Sequence, residues 1–210
     1  MSKFVAHALM RAVSRLVSIL GVEKVSTRPA RVRALLGVFA ACLVQIALGQ
    51  EYTKDGKMIL PSDYRQWTFV TSGLGMTYGP AGNSDSNPKF DNVFANPAAY
   101  KAFLQTGTWP DNTVLILEIR GSDSKVSINN GGRVQTDVLA VEAHVKDTRF
   151  PGGWAFFEFG KSDRASVTPT TATCYSCHQQ NGAVDTTFVQ FYPTLREVAA
   201  KKGTLKTGAH

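Results

Sequence analysis

The chain has 210 residues, 43% apolar and 19% charged, with a mean hydropathy of −0.10. That balance is too apolar for intrinsic disorder and too polar for a multi-span membrane protein. The formal net charge is +7, but residues 1–49 carry seven of the 23 basic residues and one of the 16 acids, leaving 16 and 15 in residues 50–210. The body is near neutral, which removes the main support for a nucleic-acid partner.

Residues 34–49 read ALLGVFAACLVQIALG, with Arg28, Arg31 and Arg33 before them and Ala47-Leu48-Gly49 at the end. A basic stretch, an apolar run and small residues two apart predict a secretory signal cleaved near Gly49/Gln50. The sixteen-residue run is short for a membrane span, which needs about 20 residues; an uncleaved anchor is the alternative. A lipobox at Cys42 fits less well, since Phe39-Ala40-Ala41 lacks the usual leucine. The long stretch before the apolar run makes Met10 or a later codon an alternative start. No twin-arginine pattern is present, so export through the general pathway is expected, with a single domain over 50–210 in an oxidising, extracytoplasmic compartment.

After a polar start at 50–61, residues 67–71 read as a short strand. Residues 73–88, rich in Gly, Ser, Asn and Pro, read as a long loop. Asn96-Pro97 is a helix start, 98–105 continues it, and Gly107 stops it. Residues 113–120 (TVLILEIR) predict a strand with Leu115, Leu117 and Ile119 on one face. A turn at 129–132 leads into a long strand at 134–145, and 154–159 (WAFFEF) is another. A polar loop at 166–173 precedes the last helical region, 188–201, which Pro193 interrupts and Gly203 stops. The order predicts a mainly β, α+β fold: an antiparallel sheet with a few short helices.

The chemistry lies in the cysteines. Apart from Cys42 there are two, in the run Thr173-Cys174-Tyr175-Ser176-Cys177-His178. C-x-x-C-H is the attachment signature of c-type haem. Two thiols three positions apart each add to one porphyrin vinyl group, and the adjacent histidine becomes the axial iron ligand. This composition produces the pattern by chance in roughly one chain per thousand. A redox C-x-x-C would normally follow a strand in a βαβ unit, and this one follows a polar loop.

A sixth ligand is hard to find. Outside the leader the methionines are Met58 and Met76, both far before the motif. His210 is terminal, and His144, in a strand, reads as a partly exposed strand histidine. The expectation is five-coordinate iron with an open face for a small molecule.

A late C-x-x-C-H on a β body is an unusual pairing. The chain resembles the cytochrome P-460 and cytochrome c′-beta family of periplasmic β-sheet haem proteins. The likeness runs through Leu60-Pro61-Ser62-Asp63-Tyr64-Arg65-Gln66-Trp67, Phe90-Asp91-Asn92-Val93-Phe94 and Thr113-Val114-Leu115-Ile116-Leu117-Glu118. It continues through Val141-Glu142-Ala143-His144-Val145-Lys146 and Gly153-Trp154-Ala155-Phe156-Phe157. It closes on Cys174 to Gln179 and Tyr192-Pro193-Thr194-Leu195-Arg196. The resemblance implies one covalent haem c on Cys174 and Cys177, His178 on the iron, and a homodimer through the sheet; the redox partner is unknown. The P-460 branch oxidises hydroxylamine and cross-links a lysine to its haem; Leu117 stands at that lysine's position and cannot form the bond. This favours the c′-beta branch, which binds gases in a hydrophobic distal pocket. Expected pocket walls are Leu117, with Leu115 and Ile119, and Phe90 and Phe94. A wall of that kind favours NO and CO over dioxygen, which depends more on a hydrogen-bond donor. Glu142, the one acid in the otherwise apolar and neutral run 138–145, reads either as a pocket proton acceptor or as a solvent-facing acid. Three functions compete: NO or CO binding, hydroxylamine oxidation and electron transfer.

Overall fold

The computed structural model describes residues 50–78 and 87–208, which belong to one compact unit, Gly49–His210. The leader, Cys42, His210 and part of the 73–88 loop lie outside the described residues. Five strands form one antiparallel sheet in chain order: β2 (Thr68–Leu74), β3 (Phe90–Ala95), β4 (Val114–Asp123), β5 (Val134–Lys146) and β6 (Trp154–Gly160). Two short strands, β1 (Met58–Ile59) and β7 (Arg164–Ala165), pair separately. Among the described residues three helices complete the fold: α1 (Pro97–Thr106), α2 (Thr173–Asn181) and α3 (Pro193–Lys202). The mainly β, α+β expectation matches this architecture.

Side chains alternate across a strand, so the sheet has two apolar faces, each with its own core. On one face Val114, Ile116, Val141, Ala143, Ala155 and Phe157 are buried with Met58 and Tyr64. On the other, Ala95, Leu115 and Trp154 pack beneath α1 and α3 through Phe103, Leu195 and Ala199. Trp109, fully buried between these layers, donates its indole N–H to Thr187 Oγ1 at 2.9 Å.

Local chemistry explains the helix boundaries. Asn96 stands where a cap is expected but makes no capping bond. Its Oδ1 instead accepts from Val114 N at 2.9 Å, and its Nδ2 donates to Asn112 O, tying the helix start to β4. Gly107 ends α1 at φ +76, and a Cβ there would also meet Lys202 Cβ at 2.8 Å, so glycine lets the two helices approach. Pro193 does not interrupt a helix. A 3-10 turn, Val189–Phe191, precedes it and the proline opens α3, where its missing N–H costs nothing.

Candidate functional site

The two cysteines lie on α2, one turn apart, both free and partly buried. An i, i+3 spacing puts their thiols on the same side of the helix. Tyr175, between them, fastens α2 to β6: its hydroxyl donates to Thr168 O at 3.0 Å and its ring sits edge-on to Phe156 at 4.8 Å. Burial pushes the Cys174 thiol up, and the charges of Glu158 and Glu142 push it further.

His178 follows at once, and its ring is fixed on one side. Nδ1 lies 2.8 Å from the carbonyl oxygen of Thr186. A carbonyl only accepts, so Nδ1 carries the proton and the neutral ring leaves its Nε2 lone pair free. Burial lowers the His178 pKa, which favours that neutral form. Phe188 (4.2 Å), Phe156 (4.7 Å) and His144 (5.0 Å) surround the ring, distances being between centroids.

The carbonyl is delivered by a tight turn after α2. Gly182 N bonds His178 O at 2.9 Å. A Cβ on Gly182 would lie 2.7 Å from His178 O and 2.7 Å from Thr186 C, both backbone atoms that cannot move aside. Asp185, at φ +52, closes the turn, and its carboxylate accepts from Lys146 Nζ at 2.8 Å.

The sheet face beneath α2 carries Leu117. Strand register places Leu117 beside Val93 on β3 and Glu142 on β5, and Glu142 beside Glu158 on β6. Asp91 and Ile119 form the next row. Burial raises the pKa of Asp91, and burial followed by the charges of Glu158 and Asp91 raises that of Glu142. Glu142 is therefore a half-buried acid on the Leu117 face, and that face is mixed rather than purely apolar. A cleft of about 410 Å³ opens beside Cys177, lined by Tyr78, Phe188, Phe191, Gln190 and Lys206 among others.

Two expectations need correction. Phe90 and Phe94 share no wall with Leu117 within one chain. They alternate with Asp91 and Val93, so they stand on the opposite face, paired with Arg120 and Ile116. Phe94 there meets Tyr64 and Phe69 edge-on at 5.8 and 5.7 Å. His144 is not a partly exposed strand residue but a buried one, stacked on Phe156 at 4.0 Å and 10°. Burial, then the charge of neighbouring His178, holds it well below the ordinary histidine range. The opposite face also holds a group that sequence reading missed. The carboxylate of Glu118, 2% exposed, accepts from Tyr64 OH at 2.5 Å, Arg65 Nε at 2.7 Å and Arg120 Nε at 2.5 Å. Burial pushes Glu118 up, but these three hydrogen bonds together outweigh it and leave its pKa lowered.

The donor set fits a haem. Among the described residues no group of three His, Cys, Asp or Glu side chains is arranged to hold a bare metal ion. A porphyrin brings four nitrogen ligands of its own and asks the protein for two thiols and one imidazole, which is what α2 presents. Met58 is fully buried in the core of the opposite face, which removes one of the two methionines considered as a sixth ligand.

A family model described as Cytochrome P460 matches residues 61–189, from the segment before Tyr64 through the sheet and α2 to the turn beyond His178. No curated protein matches the chain.

Proposed function

The chain belongs to the cytochrome P460 family of haem-binding cytochromes, and on that premise we propose that it is an exported c-type cytochrome that binds NO, and CO in vitro, at five-coordinate iron. The single observation behind this is on α2: two free thiols one turn apart, followed by a histidine whose Nδ1 is bonded to a carbonyl and whose Nε2 is free. Haem attached there would supply an iron centre open to a diatomic ligand. The residues divide the remaining work. Cys174 and Cys177 would hold the porphyrin edge as thioethers. His178 would ligate the iron, and the Thr186 carbonyl fixes its tautomer and makes the ring more basic. Leu117, Val93 and Ile119 supply apolar surface beside the attachment helix. Asp91 and Glu142, with pKa values raised mainly by burial, carry less negative charge there than exposed carboxylates would.

Oxidation of hydroxylamine is the second reading. It is favoured by Glu142, a half-buried acid directly across from Leu117 and able to take a proton. Against it stands the absent amine. By the family resemblance Leu117 stands where the cross-linking lysine is expected, and the only lysine in the five sheet strands, Lys146, is committed to Asp185 and to the carbonyl of Trp109 at 2.8 Å each. We assign the protein on these grounds to the c′-beta branch, acting in the periplasm after removal of residues 1–49, as a homodimer. Titration of the purified ferrous protein with NO and CO tests the reading, alongside a hydroxylamine turnover assay. Stoichiometric binding of both gases without turnover supports it; robust hydroxylamine oxidation with a strongly red-shifted Soret band overturns it. N-terminal sequencing of the periplasmic form should begin within a few residues of Gln50.

A further inference from the structure

His144 has no part in the function described so far, yet it is buried and its polar edge is directed at one residue. Its Nε2 shares a hydrogen bond with Thr186 Oγ1 at 3.3 Å. Thr186 is the residue whose carbonyl accepts from His178 Nδ1. One threonine therefore joins two histidines, through its backbone on one side and its hydroxyl on the other. His144 thus lies on the Nδ1 side of His178, away from the free Nε2, which removes it as a sixth iron ligand.

The ring is held firmly for this. His144 is the cross-strand neighbour of Leu115 and Phe156, stacks on Phe156 and meets Trp154 at 4.3 Å. The turn carrying Thr186 is pinned by Gly182, by the Lys146–Asp185 pair and by the Trp109–Thr187 bond. The Thr186 hydroxyl is a second contact from β5 to this turn, beside the Lys146–Asp185 pair, and it is made by the residue whose carbonyl holds His178. Groups that fix the non-ligating nitrogen of an axial histidine set its orientation and basicity.

We propose that His144 is a positioning residue that acts on the axial ligand His178 through Thr186. This rests on the assignment of His178 as the iron ligand. It concerns how strongly the protein holds the Nδ1–H bond, and so how electron-rich the imidazole is. Loosening Thr186 weakens that bond and weakens the iron–histidine bond with it.

The test is the iron–histidine stretching band in resonance Raman spectra of the ferrous holoprotein, for the wild type and four substitutions. Thr186→Val and His144→Phe remove the hydrogen bond while keeping bulk, and both should shift the band to lower frequency. The double variant should move it no further than either single one, since both act through one contact. Thr186→Ser and His144→Gln keep a polar atom within reach and should leave it near the wild-type position. If His144→Phe yields no folded protein, the contrast between Thr186→Val and Thr186→Ser decides. An unmoved band in Thr186→Val and His144→Phe, or an additive shift in the double variant, overturns the inference and leaves His144 a packing residue. A wild-type protein with no covalent haem, or no iron–histidine band, would instead refute the haem assignment and this inference with it.

Discussion

Replacing Glu118 with glutamine tests the polar network on the face opposite the haem motif. The substitution keeps shape and removes the charge. In the wild type, Tyr64 OH, Arg65 and Arg120 all converge on this carboxylate. A hydrogen bond to a charged group contributes about 1.5–3 kcal/mol, and breaking a buried ion pair costs about 3–5 kcal/mol. Arg65 is half exposed and Arg120 a quarter exposed, so solvent screening reduces their share. The expected loss is about 2–3 kcal/mol, and for a domain of this size each kcal/mol lowers Tm by roughly 2–4 °C. Thermal unfolding of the holoprotein followed by circular dichroism at neutral pH should therefore show a fall of about 5–10 °C. The sign of the pH dependence follows from the lowered Glu118 pKa. Its stabilisation is complete above the unfolded value of about 4.3 and is lost as pH falls through the folded one. The gap between wild type and variant should therefore close in acid. A fall of less than about 2 °C at neutral pH, or a gap that persists unchanged in strong acid, would refute the reasoning.

Other outcomes follow from the site. Cys174→Ala and Cys177→Ala should each keep haem through one thioether, seen as a shifted haemochrome band, and the double variant should yield little holoprotein. Gly182→Ala should cost about 2–3 kcal/mol in chemical denaturation, because the new methyl group meets backbone atoms of His178 and Thr186. Gly131→Ala, whose new methyl group would enter open space, is the neutral control. Leu117→Ala should speed NO and CO binding severalfold in stopped-flow measurements while leaving the iron–histidine band in place; unchanged rates would remove Leu117 from the pocket wall. Tyr64 is pushed up to about 12, chiefly by burial and then by its bond to Glu118. Its protonated form therefore stabilises the fold below pH about 10, and that contribution should fade as pH rises from there towards the folded value. An alkaline limb of the stability curve absent from Tyr64→Phe would show this.

Strand β4 is readable in the sequence because alternation puts Leu115, Leu117 and Ile119 on one face whatever the partner strand is. The haem motif is readable because spacing alone carries its chemistry. Alternation within β3 also separates Phe90 and Phe94 from Val93, but it does not say which set faces Leu117. That depends on the β3–β4 register, which pairs Val93 with Leu117. The burial of His144 is hidden for a similar reason. It comes from Phe156 on β6 and from the turn at 182–187, which fold over it from later in the chain. Glu118 is invisible as a buried acid because Tyr64 and Arg65 lie more than fifty residues earlier. Pro193 reads as a break because the 3-10 turn Val189–Phe191 lies directly before it in the chain, with no Gly or charge run to mark the boundary; the proline is where α3 begins.

Whether the protein carries a covalent c-type haem with His178 as its sole protein ligand is tested most directly by the optical spectrum of the purified ferrous protein. The expected result is an ordinary high-spin, five-coordinate c-haem spectrum that changes on adding CO. A sharp low-spin spectrum would mean that a sixth side chain binds the iron, and a strongly red-shifted Soret band would mean a modified macrocycle; either would contradict it.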